Sequence, residues 1–202
     1  MNTLTAPRCT LRLTALAGAR LGRRLAALTA VLASLAAFAL VLIGGTTSAD
    51  AATHTPALRH ARTHYEASIA VAVQRALNAE RRAHHLAPLT MSSKLKHSAR
   101  VHNLRMAQAN TLSHQLPHEA FFANRITKAG YHWTYAGENI AWNSRISTAA
   151  VLQLETIMYN ERPPMNDHRQ NILSRNYRNV GIDVFIDRIH HKVWLTTDFG
   201  HR

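Results

Sequence analysis

VGIDVFIDRIHHKVWLTT, residues 180–197, is the stretch on which the fold turns. Aliphatic side chains occupy every second position from Val180 to Ile186, and alternation resumes from Lys192 to Thr197. A period of two places alternate side chains on opposite faces, so both runs read as strands. The polar Asp187 to His191 between them reads as the turn of an antiparallel pair. Upstream the period changes. Ile69, Val73, Ala76, Leu77 and Glu80 recur at three and four residues, predicting a helix over Glu66–His85 that ends before Pro88. Ser92 or Ser93 caps a second helix reaching about Asn110, and Pro117 opens a short third one that stops at Gly130. Tyr131 to Trp142 is aromatic-rich and reads as a strand. Ser147 caps a fourth helix through Tyr159, Pro163-Pro164 breaks it, and a helical turn follows at Arg169–Leu173. Helices first and a small antiparallel sheet last make an α+β arrangement, without internal repeats.

The first fifty residues do not belong to this pattern. Five arginines (Arg8, Arg12, Arg20, Arg23 and Arg24) lead into an uncharged, mostly apolar run from Leu25 to Ile43, then small residues and Ala49-Asp50-Ala51. Those are the parts of a secretory signal peptide over residues 1–51. The 19-residue apolar run also has the length to span a bilayer, so an uncleaved N-terminal membrane anchor is the competing reading. Either reading places the remainder beyond the cytoplasmic membrane, as a secreted or extracellular protein. Residues 52–65 read as a flexible linker and 66–202 as the domain. Cleavage after Ala51 leaves 151 residues, enough for one core, and discards Cys9, the only cysteine. The exported part therefore has no disulfide.

The formal charge is +13, and the leader's five arginines against Asp50 account for four of these charges. The remainder, at +9, favours an anionic cell-wall polymer or lipid headgroups. Its basic residues are scattered rather than clustered, which argues against nucleic acid.

Several chemistries are excluded by missing parts. His118-Glu119 begins the zinc-protease helix motif, but Phe122 stands where the second histidine belongs. No Gly-x-Ser-x-Gly elbow and no glycine-rich phosphate loop occur. His84, His85, His190 and His191 read as surface groups, His102 as a satisfied core histidine, and Trp133, Trp142 and Trp194 as core aromatics. Four residues stand out: His114, Glu138, Glu161 and His168. Imidazole and carboxylate are ligands suited to zinc, yet glutamates also serve by accepting the second imidazole N–H. Glu138 shares a strand face with Ala136, Ile140 and Trp142, so it faces the core and needs a partner, or else the strand is irregular and it reaches water.

Taken in order, these residues resemble a known family. Leu77-Asn78-Ala79-Glu80-Arg81-Arg82, Pro88-Leu89, Leu95 with Ala99, His102 and Met106, Ser113-His114, Arg125 and Gly130-Tyr131 are its first carriers. Gly137-Glu138-Asn139-Ile140-Ala141, His168-Arg169-Gln170-Asn171-Ile172-Leu173, Tyr177, Val180-Gly181-Ile182 and Trp194 to Gly200 complete it. Over about Ala72 to Gly200 the chain resembles the bacterial branch of the CAP superfamily (cysteine-rich secretory proteins, antigen 5 and pathogenesis-related proteins), with its SCP-like extracellular domain. That resemblance implies a three-layer α-β-α sandwich and a cleft that collects two histidines and two acidic residues around a divalent metal, zinc foremost. Carried over residue by residue, these are His114, His168, Glu138 and Glu161. Met158 stands at the family's aromatic position before Glu161, Asp167 where a glycine usually precedes the histidine, and Thr197 at a frequent glutamine. The resemblance implies no single reaction. It suits a binding module at the cell envelope or outside the cell, taking a small hydrophobic ligand in some members. The alternative is a metal-assisted hydrolase of peptide or cell-wall substrates, with Glu138 as general base.

Overall fold

The computed structural model of the chain describes residues 56–202. The signal-peptide and anchor readings of 1–51 lie outside those residues. None of the described helices is long and apolar enough to cross a membrane.

Four strands form one sheet in the order β1-β3-β4-β2: β1 Thr90–Met91, β2 Tyr135–Asn143, β3 Asn179–Asp187 and β4 Lys192–His201. The hairpin read from residues 180–197 is β3–β4, antiparallel from Asn179↔Gly200 to Asp187↔Lys192. β2 adds antiparallel to the other side of β4 and forms an edge. The short β1 runs parallel to β3, so the sheet is mixed rather than purely antiparallel.

Two helical layers cover the sheet. α1 (Pro56–Ala83), α4 (Thr148–Tyr159) and α5 (Asp167–Ile172) lie on one face, α2 (Ser93–Ala109) and α3 (Phe122–Lys128) on the other. The alternation of β3 shows why both faces are dressed. Val180, Ile182, Val184 and Ile186 join Ile69, Val73 and Leu77 of α1 in the larger core. Phe185 packs on the opposite side with Met106, Leu116, Ile140 and Trp194. Gly181 also faces α2; a Cβ there would sit 2.1 Å from the Leu95 carbonyl carbon and the Lys96 nitrogen, so glycine alone permits this approach.

The caps follow the sequence. Ser92 Oγ accepts from Leu95 N, Ser147 Oγ accepts from Ala150 N, and Asn110 ends α2 in the left-handed region at φ 48°. Three expectations are corrected. The linker read over 52–65 gives way at Pro56, because proline suits a first helical turn and residues 57–65 contain no glycine or further proline. Pro117 does not open α3: His118 has φ 60°, which interrupts the helix, and α3 begins at Phe122. Of the three tryptophans only Trp194 is core; Trp133 and Trp142 are 40% and 39% exposed.

Candidate functional site

β2 is the spine of the site. Glu138 and Ile140 turn toward the α2–α3 layer, while Asn139 turns toward α5. Glu138 is buried, and its two oxygens are divided between partners: Oε1 lies 2.9 Å from His114 Nδ1, and Oε2 accepts from Arg125 Nη2. His102 Nε2 is 3.9 Å from the same Oε1. Burial pushes the Glu138 carboxyl up, but the His114 hydrogen bond, Arg125 and His102 together outweigh it and hold the group below the ordinary carboxylate range. The core-facing carboxylate expected from the strand pattern is thus present and partnered.

Arg125 does more than neutralise Glu138. Its Nη1 donates to the carbonyls of His114 at 2.9 Å and Ala120 at 2.8 Å, pinning the loop that carries His114. The fork-shaped guanidinium serves three acceptors at once, a task for which lysine lacks the geometry. Glu119 is buried beneath this loop, accepting from Leu116 N at 3.3 Å and meeting His102 Nδ1 at 3.0 Å. His102 is a core histidine, satisfied on one nitrogen; Nε2 is buried without a hydrogen-bond partner. Asp198 of β4 sits directly opposite Glu138 in the sheet, fully buried. Burial and the neighbouring Glu138 charge push its carboxyl well above the ordinary range.

On the other side of β2, Glu161 lies just beyond α4. Its Oε1 is 2.5 Å from His168 Nδ1, and Oε2 accepts from His168 N at 3.1 Å and Arg169 N at 3.4 Å. Asn166, the residue before α5, makes no side-chain cap, and Glu161 takes its place by accepting from two first-turn N–H groups, beside the acidic Asp167. Two asparagines join this half to β2. Asn139 Nδ2 donates to the His168 carbonyl at 3.1 Å, and Asn171 Nδ2 donates to Asn139 Oδ1 at 2.8 Å and to the Glu138 carbonyl at 3.3 Å. Tyr177 Oη donates to Asn171 Oδ1, over Gly137, where a Cβ would lie 2.3 Å from that hydroxyl.

The four expected residues therefore fall into two imidazole–carboxylate pairs, His114–Glu138 and His168–Glu161, attached to the consecutive residues Glu138 and Asn139. Among the described residues, no group of three or more histidine, cysteine, aspartate or glutamate side chains is placed to hold a metal ion. Both glutamates spend oxygens on the Nδ1 atoms, which is the role of a carboxylate that orients a ligand. The Nε2 atoms of His114 and His168 make no hydrogen bond, and the side chains are 47% and 31% exposed. With both Nδ1 atoms occupied, the Nε2 atoms are the ring nitrogens left available on His114 and His168.

Sequence reasoning missed Arg125, Asn139 and Asn171 as parts of the site. Each lies within the motifs quoted for the resemblance, but nothing in their spacing reveals that they bond to the histidine loops.

The comparisons agree with this architecture. The description of the cysteine-rich secretory protein family, CAP, matches residues 74–198. The Bacillus subtilis protein YkwD is 31% identical over 105 residues, 52% of this chain and 38% of YkwD, so the chain spans well under half of that relative. An extracellular protein of Bacillus anthracis containing an SCP domain superposes with a TM-score of 0.61 at 23% identity, over 73% of this chain and 44% of that one. An outer surface protein of Borrelia burgdorferi gives 0.57 at 16% identity, over 67% and 93%. These likenesses carry the fold, and the family match covers most of the folded part. The chain belongs to the cysteine-rich secretory protein (CAP) family.

Proposed function

We propose that this protein is an exported CAP-domain binding module, working at the cell envelope or outside the cell, whose cleft takes a divalent cation on His114 and His168. The observation that carries the reading is the tautomer control. Each ring has its Nδ1 occupied by a glutamate and its Nε2 free at a half-exposed edge. Zinc is among the divalent ions that imidazole suits, and two protein ligands leave positions open for a bound molecule. Export is supported by the leader composition and by relatives described as extracellular or outer surface proteins. Purified protein should melt higher with zinc than with chelator, and His114→Ala should abolish that difference. An identical zinc response in that variant would remove the site.

A metal-assisted hydrolase is the weaker reading. A general base needs a carboxylate able to reach substrate and accept a proton near neutrality. Glu138 is buried, holds Arg125 and His114, and lies below the ordinary carboxylate range. Release of peptidoglycan or casein fragments by the wild type, lost in Glu138→Gln, would overturn this preference.

A further inference from the structure

The end of the sheet remote from the two asparagines carries a feature that the cleft does not use. The β3–β4 turn presents Ile189 at 85% exposure, the most exposed large apolar side chain described. The turn is built rather than loose. Asp187 Oδ1 accepts from Ile189 N at 3.0 Å and His190 N at 3.1 Å, and Asp187 Oδ2 holds His190 Nδ1 at 2.7 Å. Trp194 Nε1 donates to the same carboxylate at 3.4 Å. A turn fixed by four donors keeps an isoleucine in water, where an unconstrained loop would fold it away.

The surroundings of Ile189 have one sign of charge. Arg188 and His191 are exposed beside it, and Lys192 lies 4.2 Å over the face of Trp142, itself 39% exposed. Trp142 pairs with Trp194 on β4, and the chain leaves β2 through exposed Arg145 and Ile146. The carboxylates at this end, Asp187 and Glu66, are both buried, so among the described residues no exposed anion stands beside these cations. α1 enters from the same end. Glu66 Oε1 accepts from Ile186 N, and ten residues of α1, Pro56–Tyr65, continue beyond that level. At 1.5 Å per residue they reach about 15 Å further. Those ten include Arg59 and Arg62 and no acidic residue.

We propose that this end of the domain docks on an anionic lipid bilayer, with Ile189 entering the headgroup boundary and Arg145, Arg188 and Lys192 meeting the phosphates. A protruding aliphatic tip, an indole at the rim and a basic surround are what an interface between headgroups and acyl chains selects. A soluble polyanion would use the cations and leave Ile189 and Trp142 without a purpose, which favours the bilayer over a wall polymer. The proposal deepens the envelope reading given above and is independent of the metal cleft.

The test uses the full chain in chelator-containing buffer, so that failure of the cation site cannot affect it. In a Cys9→Ser background, Ile189→Cys and, as a control on the exposed α5–β3 connection, Asn176→Cys carry an environment-sensitive fluorophore. Both proteins have the same leader, so membrane attachment by that segment affects them equally. Phosphatidylglycerol vesicles should blue-shift the probe at position 189 and leave the one at 176 unchanged. Phosphatidylcholine alone should give little shift at either position. Adding Arg145→Glu and Arg188→Glu should raise the lipid concentration for half-maximal shift about tenfold. An equal shift at both positions, no shift at 189, or the same shift with soluble polyphosphate would each overturn the proposal, the last in favour of a polymer site.

Discussion

Glu138 and Asp198 are directly opposed on β2 and β4, two buried carboxyls in register at the centre of the site. They do not share one electrostatic state. Glu138 is held below the ordinary range by His114, Arg125 and His102, against its burial, whereas burial and the Glu138 charge push Asp198 far up. The ionised form is favoured at Glu138 and the protonated form at Asp198. The difference arises because Arg125 bonds directly to Glu138 and acts on Asp198 only through space.

That asymmetry predicts unequal effects of neutral substitutions. Asp198→Asn replaces a group whose neutral form its burial favours and should shift stability by less than about 1 kcal/mol. Glu138→Gln strands the Arg125 guanidinium and should cost roughly 3–5 kcal/mol. Urea unfolding of both variants at neutral pH measures the contrast. Equal losses would mean that the two carboxyls are not differently charged.

A second prediction concerns Arg125. Arg125→Lys keeps the charge but cannot serve His114 O, Ala120 O and Glu138 together. Stability should fall by about 2 kcal/mol, and zinc affinity by about tenfold as the His114 loop loosens. Calorimetric zinc titration and thermal melting check it. Undiminished affinity would show that the loop is held by other contacts.

The stability should also respond to pH through a second carboxyl pair, Glu80 and Glu155. Burial raises Glu155 of α4 to about 8, with the neighbouring Glu80 adding to the rise, and burial raises Glu80 of α1 to about 7. Folded values above the unfolded value mean that the native state binds the extra protons, so this pair's contribution to stability is greatest at low pH and is lost as pH rises. The loss should run from about pH 5 to about pH 8. Glu155→Gln cannot ionise and should flatten this part of the curve. A wild-type minus variant difference that does not change over that range would contradict the pairing.

Gly181→Ala tests the close approach of β3 to α2. Its Cβ would meet backbone atoms of α2 at 2.1 Å, so the helix has to move off β3. A loss of about 3 kcal/mol is expected from overpacking, read by denaturant unfolding. A neutral result would show that α2 shifts at little cost.

What the sequence reveals and what it hides divide along a physical line. Wherever many residues repeat one period, as in β3, β4 and the apolar faces of α1 and α4, burial imposes the pattern and the element is readable. β1 has two residues and cannot display a period, so the parallel pairing with Asn179 and Val180 left no trace. Pro117 misled for a related reason: it has the character of a helix start, but the left-handed His118 that follows turns the chain instead. Within the site, His114, Glu138, Glu161 and His168 were recognisable as residue types. Their division into two pairs was not, since His114 and Glu138 meet across 24 positions and His168 and Glu161 across seven. The supporting hydrogen bonds of Arg125 and Asn171 end mostly on backbone carbonyls, which have no identity in a sequence.

The central claim is that His114 and His168 hold one cation between them. Zinc titration by calorimetry on the wild type, His114→Ala, His168→Ala and the double variant addresses it directly. One zinc per chain should bind the wild type, each single change should weaken that binding by at least about tenfold, and the double change should do little more than either. No wild-type binding, or tight binding that survives the double change, would contradict the account.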